Sequence, residues 1–180
     1  MKRCSWLDET SEIYVKYHDT EWGVPKYEDK ELFELLILES FQAGLSWITV
    51  LKKREAFRKA FDKFDVKKVA SYDENKINEL LQNKNIIRSR GKINAAILNA
   101  KIFMNIQKEY GSFSKYIWGF TDGKIIKNKD DNFQVSTPLS DKISKDLKKR
   151  GMKYVGTIIV YSFLQAAGII NDHETKCFKY

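Results

Sequence analysis

The stretch VGTIIVYSFLQAAG, residues 155–168, decides the fold class. It is almost continuously apolar, and its β-branched residues Thr157, Ile158, Ile159 and Val160 allow a strand over 156–161. Length and ending favour a helix instead. The run exceeds an ordinary buried strand, and Ala166-Ala167-Gly168 supplies helix formers followed by a C-terminal stop. It reads as a central helix, apolar enough to be buried on all sides.

Upstream, SDKISKDLKKRG (140–151) has helical periodicity and closes at Gly151. Between the two helices lies a Gly-x4-Gly turn, Gly151 to Gly156. Backbone N–H groups at the start of the second helix are donors for an anion, and Lys148, Lys149, Arg150 and Lys153 surround them. Such a clamp suits the DNA backbone irrespective of base sequence. A second basic cluster, Arg88, Arg90 and Lys92 around Gly91, also precedes a helix. The plainer reading of both is a helix-terminal glycine with cations near a helix end.

The rest of the chain reads the same way. DKELFELLILESF (29–41) is a helix capped by Asp29, and Ser46 caps WITVLKKREAFRKAF. Ser71 and Glu74 have the spacing of a capping box. RGKINAAILNAKIFMNIQKEYG (90–111) is a long helix ended by Gly111, and FSKYIWGF (113–120) a short one. The polar segment 121–139 is a loop, with a strand possible at 123–127. The fold class is all-α, one domain over 1–180 with a bilobal helical core.

Composition narrows the function. Hydrophobic residues make up 43%, enough for a sizeable core, and no apolar run approaches the ~18 residues of a membrane span. MKRCSWLDET has no apolar segment of a secretory signal. A cytoplasmic protein with reduced thiols is expected, without a membrane partner. The net charge of +8 favours a polyanion such as nucleic acid, although a lysine-rich surface alone gives the same number.

Two features point to a site. The first is Glu39, which shares a helical face with Leu32, Leu35 and Leu36. A carboxylate in an apolar stripe is costly to bury alone. Gln42, Gly44, Leu45 and Trp47 follow it, and Trp6, Tyr14, Tyr17 and Trp22 crowd a short upstream stretch. Acid, amide and aromatics suit a flat, hydrogen-bonding, cationic ligand. Alternatively, Glu39 reaches solvent and the aromatics are core. The second feature is that the chain's two cysteines and two histidines all lie near its ends: Cys4, His18, His173 and Cys177. Four such donors make a closed tetrahedral Zn²⁺ site that ties the termini together and leaves no open position for catalysis. The alternative is four unrelated side chains.

RCSW (3–6), YHDTEWGVP (17–25), LESFQAGLSWITVLKKRE (38–55), IIRSRGKINA (86–95), LKKRGMKYVGT (147–157), YSFLQA (161–166) and NDH (171–173) together resemble the bacterial DNA-3-methyladenine glycosylase I family. That family is a divergent branch of the helix-hairpin-helix DNA glycosylases. The resemblance runs from end to end. It implies excision of 3-methyladenine from alkylated double-stranded DNA, with the free base as product and an abasic site left behind. By position it makes Cys4, His18, His173 and Cys177 the holders of a structural zinc. Glu39 becomes the carboxylate that hydrogen-bonds the flipped base and the candidate catalytic group. Tyr17 and Ser162 become further base contacts and Trp47 the stacking aromatic, with Trp6, Tyr14 and Trp22 in the same wall. Gly44 and Leu45 match the turn that presses into the duplex. Gly151 to Gly156, with Lys149, Arg150 and Lys153, match the DNA-holding hairpin.

One departure stands out. Many members of the wider superfamily carry a catalytic Asp two residues before a His. Asn171 occupies that place here, and Asp172 is out of register. The superfamily's Asp is therefore not carried over, no lyase lysine is identifiable, and a monofunctional monomer is expected. The rival readings are a non-enzymatic, zinc-stabilised DNA-binding protein, a zinc-stabilised interaction protein and a small-nucleoside hydrolase.

Overall fold

The computed structural model of the chain describes residues 1–129 and 134–180. Among these residues the helices are, in chain order, α1 (Glu12–Thr20), α2 (Asp29–Gln42), α3 (Trp47–Ala60), α4 (Val66–Ala70), α5 (Glu74–Gln82), α6 (Arg90–Tyr110), α7 (Phe113–Gly119), α8 (Pro138–Lys149) and α9 (Thr157–Ala166). A 3₁₀ turn at Asp62–Phe64 joins α3 to α4. Two residue pairs, β1 (Ile126–Lys127) and β2 (Ile170–Asn171), form a minimal parallel ladder. The architecture is all-α, and the ambiguous stretch 155–168 is helical.

The core sits around α2. Leu32, Phe33, Leu36, Ile37, Leu38 and Phe41 are fully buried on a wide apolar face, while Lys30 and Glu31 in the first turn are exposed. α2 packs against α3, α6, α7 and α9, and α8 pairs with α9. A smaller cluster beside this core joins the two ends of the chain. It gathers Cys4, Tyr17, Trp22, Leu51 and Cys177, with Trp6, Tyr14 and Trp47 against them. The Phe178 N–H donates to the Lys2 carbonyl at 2.9 Å, and the Ser5 N–H donates to Glu174 Oε1 at 2.8 Å.

Some helix starts differ from the sequence expectation. Asp29 does not cap its own helix. Its carboxylate accepts from the Phe113 and Ser114 N–H groups at 2.9 and 2.8 Å and so caps α7, with Gln107 Nε2 as a third donor at 2.7 Å. An aspartate that opens one helix can serve another's free amides when tertiary packing brings them together. The cap of α5 is Asp73, accepting from the Lys76 N–H at 2.9 Å, and not Ser71. Ser46 does stand at the N-cap of α3, but its hydroxyl meets Thr49 Oγ1 at 2.8 Å instead of a backbone amide. Helix α8 starts earlier than expected, at Pro138, because Thr137 and Ser140 form a reciprocal capping box. The remainder of the expected loop 121–139 includes β1, and its residues 130–133 lie outside the described residues.

Candidate active site

A cavity of about 400 Å³ opens between α1, α2, α3 and α9, a volume in the usual range for a small-molecule pocket. Helix α1 contributes Tyr14 and Tyr17, and the segments flanking it contribute Trp6 and Trp22. Helix α2 contributes Glu39 and Gln42, α3 Trp47, and α9 Ser162 and Gln165. Ser5, Asn128, Asp172, His173 and Glu174 complete the lining. The structure thus brings Tyr17, Glu39, Trp47, Ser162, Trp6, Tyr14 and Trp22 into one cleft.

The walls are aromatic. The Trp6 and Trp22 rings meet edge to face at 4.9 Å, Trp6 and Tyr14 lie 5.5 Å apart, and Tyr17 and Trp47 also 5.5 Å. Into this setting α2 delivers Glu39, only 3% exposed. Burial pushes its carboxyl up to about 8, because the ionised form loses water and gains nothing in return. The Tyr17 phenol is raised well above its ordinary value by burial and then by Glu39, and Tyr14 is raised by the same two causes. Trp47 Nε1 is buried without a hydrogen-bond partner. An acid and an N–H donor left unmatched in one cleft cost stability unless a ligand supplies their partners.

Sequence reasoning passed over part of the opposite wall. Asp172 accepts hydrogen bonds from Asn128 Nδ2 at 2.5 Å, Gln165 Nε2 at 2.5 Å and the Tyr161 hydroxyl at 2.9 Å. Gln165 carried a signal, as a polar residue within an apolar helix. Asn128 carried none, because it sits in a polar tract.

Beside the cleft, Cys4, His18 and Cys177 each place one ligand atom within 4.8 Å of the others, all buried. Burial pushes the Cys4 thiol up to about 12, a penalty that a cation would reverse. His173 adjoins the group, its ring 5.1 Å from that of His18. Its Nε2 is buried and without a partner. In both histidines Nδ1 is already engaged: that of His18 lies 2.8 Å from Asp19 Oδ1, and that of His173 lies 2.9 Å from Asn171 Oδ1. With the proton on Nδ1 in these bonds, each Nε2 keeps its lone pair, and His18 Nε2 lies 3.6 Å from Cys177 Sγ, the arrangement that orients metal-ligating histidines. Arg3 in turn holds Asp19 at 2.9–3.1 Å. Cys4, His18 and Cys177 are a set of N and S donors that could hold a metal ion, and His173 lies outside that group of three.

The residues expected at DNA lie at two turns, one between α2 and α3 and one between α8 and α9. Gly44 has φ +79°, and Leu45 beyond it is exposed. Gln42 closes this turn, its carbonyl accepting from the Leu45 N–H at 2.7 Å and its amide donating to the Leu45 carbonyl at 2.6 Å. In the turn between α8 and α9, Gly151 takes φ +99° and Gly156 is the N-cap of α9, with no side chain covering the helix amides. Lys149 and Lys153 are exposed. Arg150 is engaged internally: it donates to Asp146 at 2.7 Å and Glu109 at 2.6 Å and lies over the Tyr110 and Tyr116 rings. Lys92 is also committed, with Nζ donating to the Phe41 and Ala43 carbonyls at 2.8 and 2.6 Å, and Arg90 pairs with Glu74.

Residues 6–180 match the methyladenine glycosylase family. The chain is 46% identical to DNA-3-methyladenine glycosylase 1 of Escherichia coli K12 over 183 residues, spanning 100% of this chain and 97% of that protein. A crystal structure of a 3-methyladenine DNA glycosylase I superposes with a TM-score of 0.94 at 48% identity, covering 98% of both chains. A Staphylococcus aureus 3-methyladenine DNA glycosylase I, solved to show the basis of 3-methyladenine recognition, has a TM-score of 0.94 at 38% identity. The match covers 99% of this chain and 96% of that one.

Proposed function

The chain belongs to the methyladenine glycosylase family, and on that premise we propose that it flips 3-methyladenine out of alkylated duplex DNA into the aromatic cleft and hydrolyses its N-glycosidic bond. It is a DNA N-glycosylase. The observation that carries the reading is Glu39, a carboxyl buried among aromatic rings with its pKa raised to about 8 by burial. In the empty cleft at neutral pH it keeps its proton. A cationic base supplies the charge that lets it ionise, whereas neutral adenine does not. Tyr17, Trp47, Trp6, Tyr14 and Trp22 add ring faces for the same cation, and Ser162 a polar contact.

The reaction needs little acid catalysis. A base methylated at N3 is positively charged, so it departs with the bonding electron pair as a neutral molecule. Water then adds to C1′ and loses one proton to solvent, leaving free 3-methyladenine and an abasic site. Among the described residues no lysine lines the cleft, which supports monofunctional hydrolysis without strand cleavage. Unstacking the base costs a few kcal/mol, less for a damaged one. Leu45, exposed on the tight Gly44 turn, offsets part of this by filling the gap. The α8–turn–α9 unit acts as the helix-hairpin-helix: the uncapped amides after Gly156 face a phosphate, with Lys149 and Lys153 beside it.

Cys4, His18, His173 and Cys177 would hold a structural Zn²⁺. A metal there supplies a cross-link between the chain ends and, with four protein ligands, no open site for water. A monomer in a reducing cytoplasm suits both free cysteines. HPLC of bases released from methylated duplex DNA tests the function. Release of 3-methyladenine is expected, and no released base after prolonged incubation with metal-replete protein would rule it out.

A further inference from the structure

Three carboxyl groups line the cleft: Glu174 accepts from the Ser5 N–H at 2.8 Å, and the other two, Glu39 and Asp172, have opposite environments. Glu39 comes from α2 and is buried among apolar and aromatic neighbours. Asp172 follows β2 and lies on the wall built by α9 and the β1–β2 pair. Asn128 donates to its Oδ1, and Tyr161 and Gln165 both donate to its Oδ2. All three partners are neutral donors, and between them they engage both oxygens. That pattern fits a carboxylate, which only accepts. Burial and the Asp172 carboxylate both raise the Tyr161 phenol, so it keeps the proton it donates. Asn128 and Gln165 line the cavity with Asp172, so the network is part of the cleft wall. Two separate segments, α9 and the residue after β1, fix one negative charge in one place.

The chemistry says where such a charge is useful. Before cleavage the positive charge lies on the methylated base. As the C1′–N bond breaks, the electron pair goes to the base, which becomes neutral, and the charge moves to C1′ and the sugar ring oxygen. An anion beside the base therefore favours the bound substrate more than the transition state. Only an anion placed near the sugar gains interaction energy along the reaction, and only that gain raises the rate. A preorganised charge in a water-poor aromatic cleft serves this purpose without reorganising.

We propose that Asp172 is a second catalytic residue of the cleft, whose fixed charge stabilises the sugar cation as the base departs, while Glu39 reads the base. The assignment rests on the glycosylase reading. Water forms the new C1′–O bond and its proton passes to solvent, so no co-reactant is required.

The test uses the full-length, metal-replete chain and Asp172→Asn. Single-turnover release of 3-methyladenine from alkylated duplex is compared with affinity for free 3-methyladenine, read by tryptophan quenching. Release is expected to slow by about 100-fold or more, with free-base affinity changed by less than about threefold. A duplex carrying a cationic pyrrolidine in place of the sugar should bind wild type more tightly than one carrying neutral tetrahydrofuran, and Asp172→Asn should abolish that preference. A variant releasing base at the wild-type rate, or losing affinity in step with rate, overturns the assignment. Should Asp172→Asn not fold, Tyr161→Phe decides: it removes one donor and keeps the ring, and an unchanged release rate also overturns it. Wild-type protein that releases no 3-methyladenine refutes the glycosylase reading itself, whereas active wild type with an equally active Asp172→Asn refutes only the role of Asp172.

Discussion

Asn99 grips the peptide of Lys153 from both sides: its Oδ1 accepts the Lys153 N–H at 2.9 Å, and its Nδ2 donates to the Lys153 carbonyl at 2.8 Å. Asn99 is fully buried on α6, so the turn that precedes α9 is bolted to the longest helix of the chain. Ser144 and Ser40 add bonds to the next two carbonyls in use, Val155 at 2.7 Å and Tyr154 at 3.2 Å. Asn99→Ala removes both bonds and leaves a partly buried N–H and C=O without their partner. Denaturant unfolding should show a loss of about 2–3 kcal/mol. Affinity for undamaged duplex should fall as well, while free 3-methyladenine binds as before.

Glu39 makes stability depend on pH. Its carboxyl is raised to about 8 in the fold from an ordinary value of 4.5. Below 4.5 both folded and unfolded chains hold the proton, and the burial costs nothing extra. Between 4.5 and 8 the unfolded chain ionises and the folded chain does not, so stability falls by about 1.4 kcal/mol per pH unit. Glu39→Gln lacks this loss. At pH 5.5 the linkage gap between variant and wild type should be about 1 kcal/mol wider than at pH 4, and at pH 7.5 wider still by on the order of 2–3 kcal/mol. Equal gaps at all three pH values would mean that Glu39 is ionised in the folded cleft. The same substitution should depress base excision far more than binding of undamaged DNA.

Gly23 sets the position of His173. Its φ is +72°, and a Cβ there would lie 2.7 Å from His173 Cε1. Gly23→Ala therefore adds a left-handed backbone penalty of about 1–2 kcal/mol and pushes the imidazole away from Cys4, His18 and Cys177. On the proposed zinc ligation, metal analysis after dialysis against a mild chelator should show faster metal loss than in wild type, and equal loss would remove His173 from the ligand set. Trp22, whose ring lies 4.5 Å from that of His173, should report the movement in its fluorescence.

The fold was legible wherever one segment carried its own pattern. Residues 155–168 and 29–41 are apolar over helical lengths, and both became central helices. Gly111 ends α6 with φ +84°, as its place in the sequence suggests. What stayed hidden depends on packing between distant segments. Asp29 looks like a local cap and instead serves α7, far along the chain. The same limit applies to the cleft. Glu39 was visible as a charge out of place in an apolar stripe. Asp172 was noticed but set aside as out of register, because its meaning lies in Asn128, Tyr161 and Gln165, which converge on it only after folding. Arg150 shows the converse: a cation in a basic run whose charge is spent on Glu109 and Asp146.

The basic turn offers a test that separates cations by job. Lys149 and Lys153 are exposed beside the uncapped start of α9, the geometry of phosphate contacts. Each contact made to DNA displaces condensed counterions, so replacing either lysine with Ala should flatten the plot of log affinity against log salt by about 0.9 and leave melting temperature nearly unchanged. Arg150 sits in the same run, but its guanidinium bridges Asp146 on α8 to Glu109 on α6 and covers two tyrosine rings. Arg150→Ala leaves two carboxylates facing each other without their cation, so it should lower the melting temperature and keep the wild-type salt slope. If Arg150→Ala instead flattens the slope as much as Lys153→Ala, the arginine must leave its internal partners when DNA binds, and the α6–α8 bridge is then a latch released by the duplex.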